Sequence, residues 1–192
     1  MVWTSEFLGP VYLVYGLAFF TLGVIALALP KRDATLPFAG ELWLLATFGL
    51  LHGLLEFVEW ARLTYDSPRL GTLSGLLATL SYIPLMEFGR RLLARAPTPA
   101  YLPPLPLYGA SAASIAVFVL AAGDPFAGLT VGARLFIGTP GALLTGFALF
   151  ALPRITVYSH DDAHGLRRGL NFLAAAFLAY GAFTPFVTEP VA

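Results

Sequence analysis

Six apolar runs, at about 9–29, 38–60, 70–94, 105–122, 130–152 and 167–187, take up most of the 192 residues. A helix needs about 20 predominantly apolar residues to cross a hydrocarbon core, and these runs are of that length. Inside a bilayer the backbone must satisfy its own hydrogen bonds, so repeated runs of this kind leave few folds open to the chain. Composition agrees. Charged residues are 11% and hydrophobic residues 58%, and mean hydropathy is +0.78. A soluble domain carries roughly 25% charged residues to cover its surface. The expected class is therefore all-α, a single polytopic membrane bundle over 1–192 with six transmembrane helices. No linker is long enough to set off a second domain.

Other classes fall away on the same page. Eleven Lys and Arg balance eleven Asp and Glu, so no basic surface for nucleic acid is expected. The chain has no cysteine, which removes disulfides, thiolate metal sites and thiol chemistry. The first run is too long for a signal-peptide core, and Met1–Pro10 before it has no Lys or Arg. No Gly-x-Ser-x-Gly, His-Glu-x-x-His or phosphate-loop pattern occurs, so a non-enzymatic role is expected.

The breaks between runs carry turn chemistry. Leu29-Pro30-Lys31-Arg32-Asp33 closes the first run, and Asp66-Ser67-Pro68 separates the second from the third. Pro97, Pro99, Pro103, Pro104 and Pro106 predict a stiff extended connector. Gly123-Asp124-Pro125 ends the fourth run, and Ser159-His160-Asp161-Asp162 reads as the cap of the sixth. Loops 1, 3 and 5 hold Lys31, Arg32, Arg90, Arg91, Arg95, Arg154, Arg167 and Arg168; the other side holds Arg62, Arg69 and Arg134. Cytoplasmic loops carry the excess of Lys and Arg, so this asymmetry predicts an outside N terminus.

Lipid is as apolar as leucine, so helix association needs close backbone contact or polar pairing. Small residues at spacing four mark candidate contacts: Gly49 with Gly53, Gly71 with Gly75, Gly128 with Gly132, and Gly165 with Gly169. Pro84 and Pro140 fall inside runs 3 and 5, where each removes a backbone hydrogen bond.

Ionisable side chains within a membrane cost about 2.5–3.5 kcal/mol each on insertion scales, so they are the informative positions. His52, Glu56 and Glu59 are spaced by four and three, which puts them on one helix face. Arg134 lies about one turn inside the outer end of run 5, at similar depth. These four form the candidate ligand-binding or proton-sensing site. His52 and Glu56 at i and i+4 could also hold a divalent metal, and His52 alone could ligate haem. The structural alternative is a plain hydrogen-bond and ion-pair network, with Trp60 as an interfacial anchor. Glu87 is expected to pair with Arg90 or Arg91 near the cytoplasmic end, too far from His52 to share its site. His160 and His164 are spaced by four in a loop and read as a solvated helix start, with a surface metal site as the alternative.

The string Ala46-Thr47-Phe48-Gly49-Leu50-Leu51-His52-Gly53-Leu54-Leu55-Glu56 resembles the FGLLHGL-x-E signature of membrane-embedded N-terminal sensor regions in bacterial histidine kinases and diguanylate cyclases. Phe19-Phe20-Thr21-Leu22-Gly23 is similar to their first helix. Leu80-Ser81-Tyr82 with Glu87-Phe88-Gly89-Arg90-Arg91 is similar to their third, and Ala133-Arg134-Leu135 with Thr139-Pro140-Gly141-Ala142-Leu143-Leu144 to their fifth. The resemblance implies a multi-helix sensor of the bacterial cytoplasmic membrane that signals to a kinase or cyclase; it carries over no ligand, and a small ligand between the helices around His52 is the reading of the site residues themselves. The chain stops at Ala192 without such an output domain, so either a truncated sensor or a stand-alone relative acting through partner membrane subunits is expected. An accessory subunit of a larger membrane complex is the second reading, and a proton or small-solute transporter is the third. It is weakened by the lack of similarity between runs 1–3 and 4–6.

Overall fold

The computed structural model describes residues 5–29, 38–65, 67–95, 102–152 and 163–186. The described residues form helices and no strands. They are α1 (Ser5–Ala28), a 3-10 turn (Ala39–Glu41), α2 (Leu42–Arg62), α3 (Pro68–Leu93), α4 (Pro104–Ala121), α5 (Pro125–Ala133), a π-helical turn (Arg134–Gly138), α6 (Thr139–Ala151), α7 (Ala163–Phe183) and a closing 3-10 turn (Thr184–Phe186). Since α5, the π turn and α6 follow one another without a break, the described residues make six rods. Four segments, Leu8–Ala28, Ala39–Arg62, Pro104–Ala121 and Pro125–Ala151, are long and apolar enough to cross a membrane. The other two rods are more polar. Thr72, Ser74, Thr79 and Ser81 stud α3, and Arg167, Arg168 and Asn171 stud α7.

The centre of the bundle is α3. It packs against α2 on one side and against α5, the π turn and α6 on the other. Next to these, α1 lies on α2, α4 on α5 and α7 on α6. The core side chains Phe48, Leu85, Met86, Phe88, Leu92 and Leu149 are fully buried along these seams.

Glycine sets the closest approaches. A Cβ on Gly49 would stand 2.7 Å from Gly23 N and Phe19 O, and one on Gly53 would stand 2.8 Å from Gly16 O and Phe20 N. The α1–α2 contact is therefore backbone on backbone, which only residues without side chains permit. Gly89 meets the Thr145 backbone and Gly141 meets the Met86 backbone in the same way across α3 and α6. Of the four glycine pairs singled out in the sequence, Gly49/Gly53 and Gly128/Gly132 sit at helix contacts. Gly75 packs on Thr130, whereas among the described residues Gly71 meets only the tip of Arg62, and Gly165 and Gly169 have nothing within 4 Å. Spacing alone does not say which face of a helix meets a neighbour.

Two expectations need correction. The proline-rich connector does not run through Pro106, because Pro104 and Pro106 lie in the first turn of α4. The first N–H groups of a helix have no partner within it, so proline is tolerated there. Likewise Asp124-Pro125 starts a helix as well as following one. Asp124 Oδ1 accepts from Phe126 N at 2.9 Å, and Pro125 takes the first helical position. Run 5 is thus longer than its sequence limits of 130–152, and Arg134 lies about 13 Å from its start at 1.5 Å per residue.

The π turn has an identifiable cause nearby. Thr139 N–H bonds to Arg134 O, five residues back. Pro140 has no N–H to offer Phe136 O. That carbonyl is instead 2.9 Å from Ser111 Oγ on α4, whose single proton also lies within reach of Leu107 O at 3.1 Å. A defect in one rod is so repaired by its neighbour. The loop charges Lys31, Arg32, Asp33, Arg154, His160, Asp161 and Asp162 lie outside the described residues, as does the His164 side chain.

Candidate functional site

His52 sits in the middle of α2 at 2% exposure. An imidazole in this position needs partners on both edges, because an unmade hydrogen bond is costly without water. Both are present. Nδ1 lies 3.2 Å from Ser81 Oγ on α3, and Nε2 lies 3.0 Å from the Tyr180 hydroxyl on α7. The hydroxyls on either side can donate or accept, so the neutral ring is satisfied in either tautomer. Ser81 is also 3.0 Å from Ala78 O in its own helix. Aromatic rings hold the imidazole in place: Phe48 stacks at 5.1 Å and Phe19 meets it edge-on at 4.5 Å.

One turn further along, Glu56 Oε1 lies 3.4 Å from His52 Nε2. Glu56 is itself buried, at 8% exposure. The Tyr180 hydroxyl continues to the Tyr82 hydroxyl at 3.3 Å, and Arg134 of the π turn interacts electrostatically with Tyr82. A chain of polar contacts therefore joins α2, α3, the π turn and α7. Gly138 makes room for it, since a Cβ there would stand 2.7 Å from the Tyr82 ring.

These groups border a partly open cavity of about 320 Å³, lined by Tyr15, His52, Glu56, Tyr82, Arg134 and Tyr180, with Ala176, Ala179, Phe183 and Thr184 completing its wall. Arg134 enters it because the π turn begins at that residue. Such turns are often found at functional sites, where the extra residue re-aims side chains.

Of the four sequence candidates, His52, Glu56 and Arg134 thus meet at one cavity and Glu59 does not. Glu59 turns to Arg62 Nη1, at 3.0 and 3.1 Å, and accepts from Ser74 Oγ on α3. Sharing a helix face was not enough. Glu59 lies nearly a turn beyond Glu56, where an arginine of its own helix reaches it first. The sequence reading missed Tyr82, Tyr180 and Tyr15. Their signal was a phenol within an apolar run, which needs a partner as an ionisable group does.

The other end of the bundle carries different pairs. Glu87 accepts from Arg90 at 2.7 Å twice, from Arg91 at 2.6 Å and from the Tyr108 hydroxyl on α4 at 2.8 Å. Glu41, at the start of α2, accepts from Arg95 beyond the end of α3 at 2.5 and 2.8 Å. The last pair was not anticipated, because 54 residues separate its partners.

Among the described residues no three His, Asp or Glu side chains gather around a common point, and both His52 nitrogens have hydroxyl partners. Comparison with known proteins gives no matching family, no similar curated protein and no similar solved structure.

Proposed function

We propose that this protein is a non-enzymatic sensory module of a bacterial cytoplasmic membrane, with six spans and an outside N terminus. A small ligand held among the helices beside His52, Glu56 and Arg134 is its signal. The observation that carries this reading is that His52, Glu56 and Arg134 all border 320 Å³ of space, whereas Glu41, Glu59 and Glu87 pair with arginines away from it. A purely structural network gains nothing from such a space, since voids forfeit packing.

Binding there would act on several rods together. The lining comes from α1, α2, α3, the π turn and α7. A ligand that favours one arrangement of these rods shifts the bundle towards it, by as much as its affinity differs between arrangements. An output kinase, a cyclase or a partner membrane subunit would read that shift.

The test pairs ligand response with stability. His52→Ala in the purified chain is expected to abolish ligand-dependent change in melting. It also lowers the melting point itself, by an amount matching about 0.6–2 kcal/mol per lost membrane hydrogen bond. A mutant that melts lower yet keeps its full ligand response would refute the sensory reading. The topology has its own check. Cysteines introduced at Asp33 and Thr98 are expected to resist a membrane-impermeant reagent applied from the periplasmic side.

A further inference from the structure

A second group of charges lies at the end of the bundle where α7 begins. Phe177 meets Phe48, and Tyr180 meets His52, in the same order along the two helices. Hence α7 runs parallel to α2, and continuing that register sets Arg167 and Arg168 level with the 3-10 turn Ala39–Glu41 at the start of α2. The acids at this end are already taken. Glu41 is paired with Arg95, and Glu87 with Arg90 and Arg91. Arg167 and Arg168 are exposed, and among the described residues neither has a hydrogen-bond or ion-pair partner. By the sequence, eight Lys and Arg belong to the loops and helix ends on this side, against Asp33, Glu41, Glu87, Asp161 and Asp162. Positive charge therefore remains after every acid there is counted.

The depth is that of a headgroup. By the same register Trp43 on α2, 46% exposed, is level with Phe172, and tryptophan favours the membrane–water boundary. Arg168 lies about 6 Å beyond Phe172 along α7, at 1.5 Å per residue. The guanidinium is a fork of donors that matches a phosphate.

An apolar strip leads away from the arginines into the bundle's hydrocarbon zone. Arg168, Phe172, Ala176, Ala179 and Phe183 follow one another at spacings of four, four, three and four, and so share one face of α7. All five are exposed, Phe172 at 78% and Phe183 at 70%. Two alanines between two rings leave a shallow furrow. From Phe172 to Phe183 it is about 16 Å long, half of a hydrocarbon core of about 30 Å and so the depth of one leaflet. A soluble anion or an acidic peptide would use the arginines alone. A phospholipid with a negative headgroup uses both arginines and furrow. Ala176, Ala179 and Phe183 also border the cavity, but Arg168 lies about 12 Å from Ala176 along α7, so the headgroup position is separate from it.

We propose that Arg167 and Arg168 hold the phosphodiester of an anionic phospholipid in the leaflet where α7 begins, with an acyl chain lying along Phe172, Ala176 and Ala179 towards Phe183. In the proposed orientation this is the cytoplasmic leaflet, whose surface potential is negative. The inference rests on the membrane reading of the chain and not on a ligand at His52.

The full chain is purified in a neutral detergent and titrated with phosphatidylglycerol or phosphatidylcholine of matched chains. Melting and native mass spectrometry are the readouts. Phosphatidylglycerol is expected to raise the melting temperature saturably and to stay bound as an adduct, while phosphatidylcholine does neither. Arg167→Gln combined with Arg168→Gln weakens the phosphatidylglycerol response about tenfold or more. Both side chains are exposed, so this double variant melts as the parent does without lipid. Arg69→Gln, at an exposed arginine of the opposite end, keeps the full response. Equal effects of the two lipids overturn the proposal, as does an undiminished response in the double variant. Glycerol phosphate, which has the anion without the tails, is titrated in parallel. A response equal to that of the lipid overturns the proposal in favour of a soluble anion. Arginine-dependent binding of a polyglutamate peptide, with no response to phosphatidylglycerol, overturns it in favour of an acidic protein partner.

Discussion

Gly49→Ala is the smallest change that tests how this bundle is held together. The added methyl would lie 2.7 Å from Gly23 N and Phe19 O and 2.8 Å from Gly23 Cα. Ordinary contact begins near 3.4 Å, so three backbone atoms of α1 stand too close at once. Backbone does not rotate away as a side-chain tip does, so the whole of α1 must shift. Overpacking of this kind costs about 1–3 kcal/mol. Against it, alanine gains roughly 0.5–1 kcal/mol over glycine in a helix. The net expectation is a loss of up to about 2 kcal/mol, or several degrees at the roughly 2–4 °C per kcal/mol of a chain this size. Because Phe19 supports the His52 ring at 4.5 Å, the shift also loosens the cavity wall. The control is Gly169→Ala, at a position with nothing within 4 Å among the described residues. There only the helix gain of about 0.5–1 kcal/mol remains, so melting rises or stays level. The assay is thermal melting of both variants in one detergent, followed by light scattering and circular dichroism. Equal shifts in the two would refute the close-contact argument, as would a Gly49→Ala chain that melts above the parent.

Two further outcomes follow from other contacts. Ser111→Ala removes the donor that serves Phe136 O above Pro140, and is expected to cost about 0.6–2 kcal/mol, read as a lower melting point. Ser111→Thr, which keeps the hydroxyl, should recover most of it. Glu41→Gln and Arg95→Gln each break the clamp between the start of α2 and the end of α3. A double-mutant cycle on melting should show a favourable coupling of about 0.5–3 kcal/mol, and additive effects would dismiss the pair.

The sequence by itself determined that this chain is a bundle of apolar helices, because runs this long and this poor in charge have no other way to satisfy their backbone. It also picked out His52, Glu56 and Arg134, since an ionisable group within such a run is costly enough to stand out. The local pair of Glu87 with Arg90 and Arg91 was legible for the same reason, as spacings of three and four fix neighbours within one helix. Contacts between helices were not legible. Nothing in the spacing tells Gly49 and Gly53, pressed on the α1 backbone, from Gly165 and Gly169, which border open space. Nor could it set Tyr180 beside His52 across 128 residues, or turn Glu59 away to Arg62 and Ser74 while Glu56 lines the cavity. A helical period gives a face but no rotation relative to a neighbour. Only the packing of α1, α2, α3 and α7 decides which faces meet, and with it which side chains line the cavity.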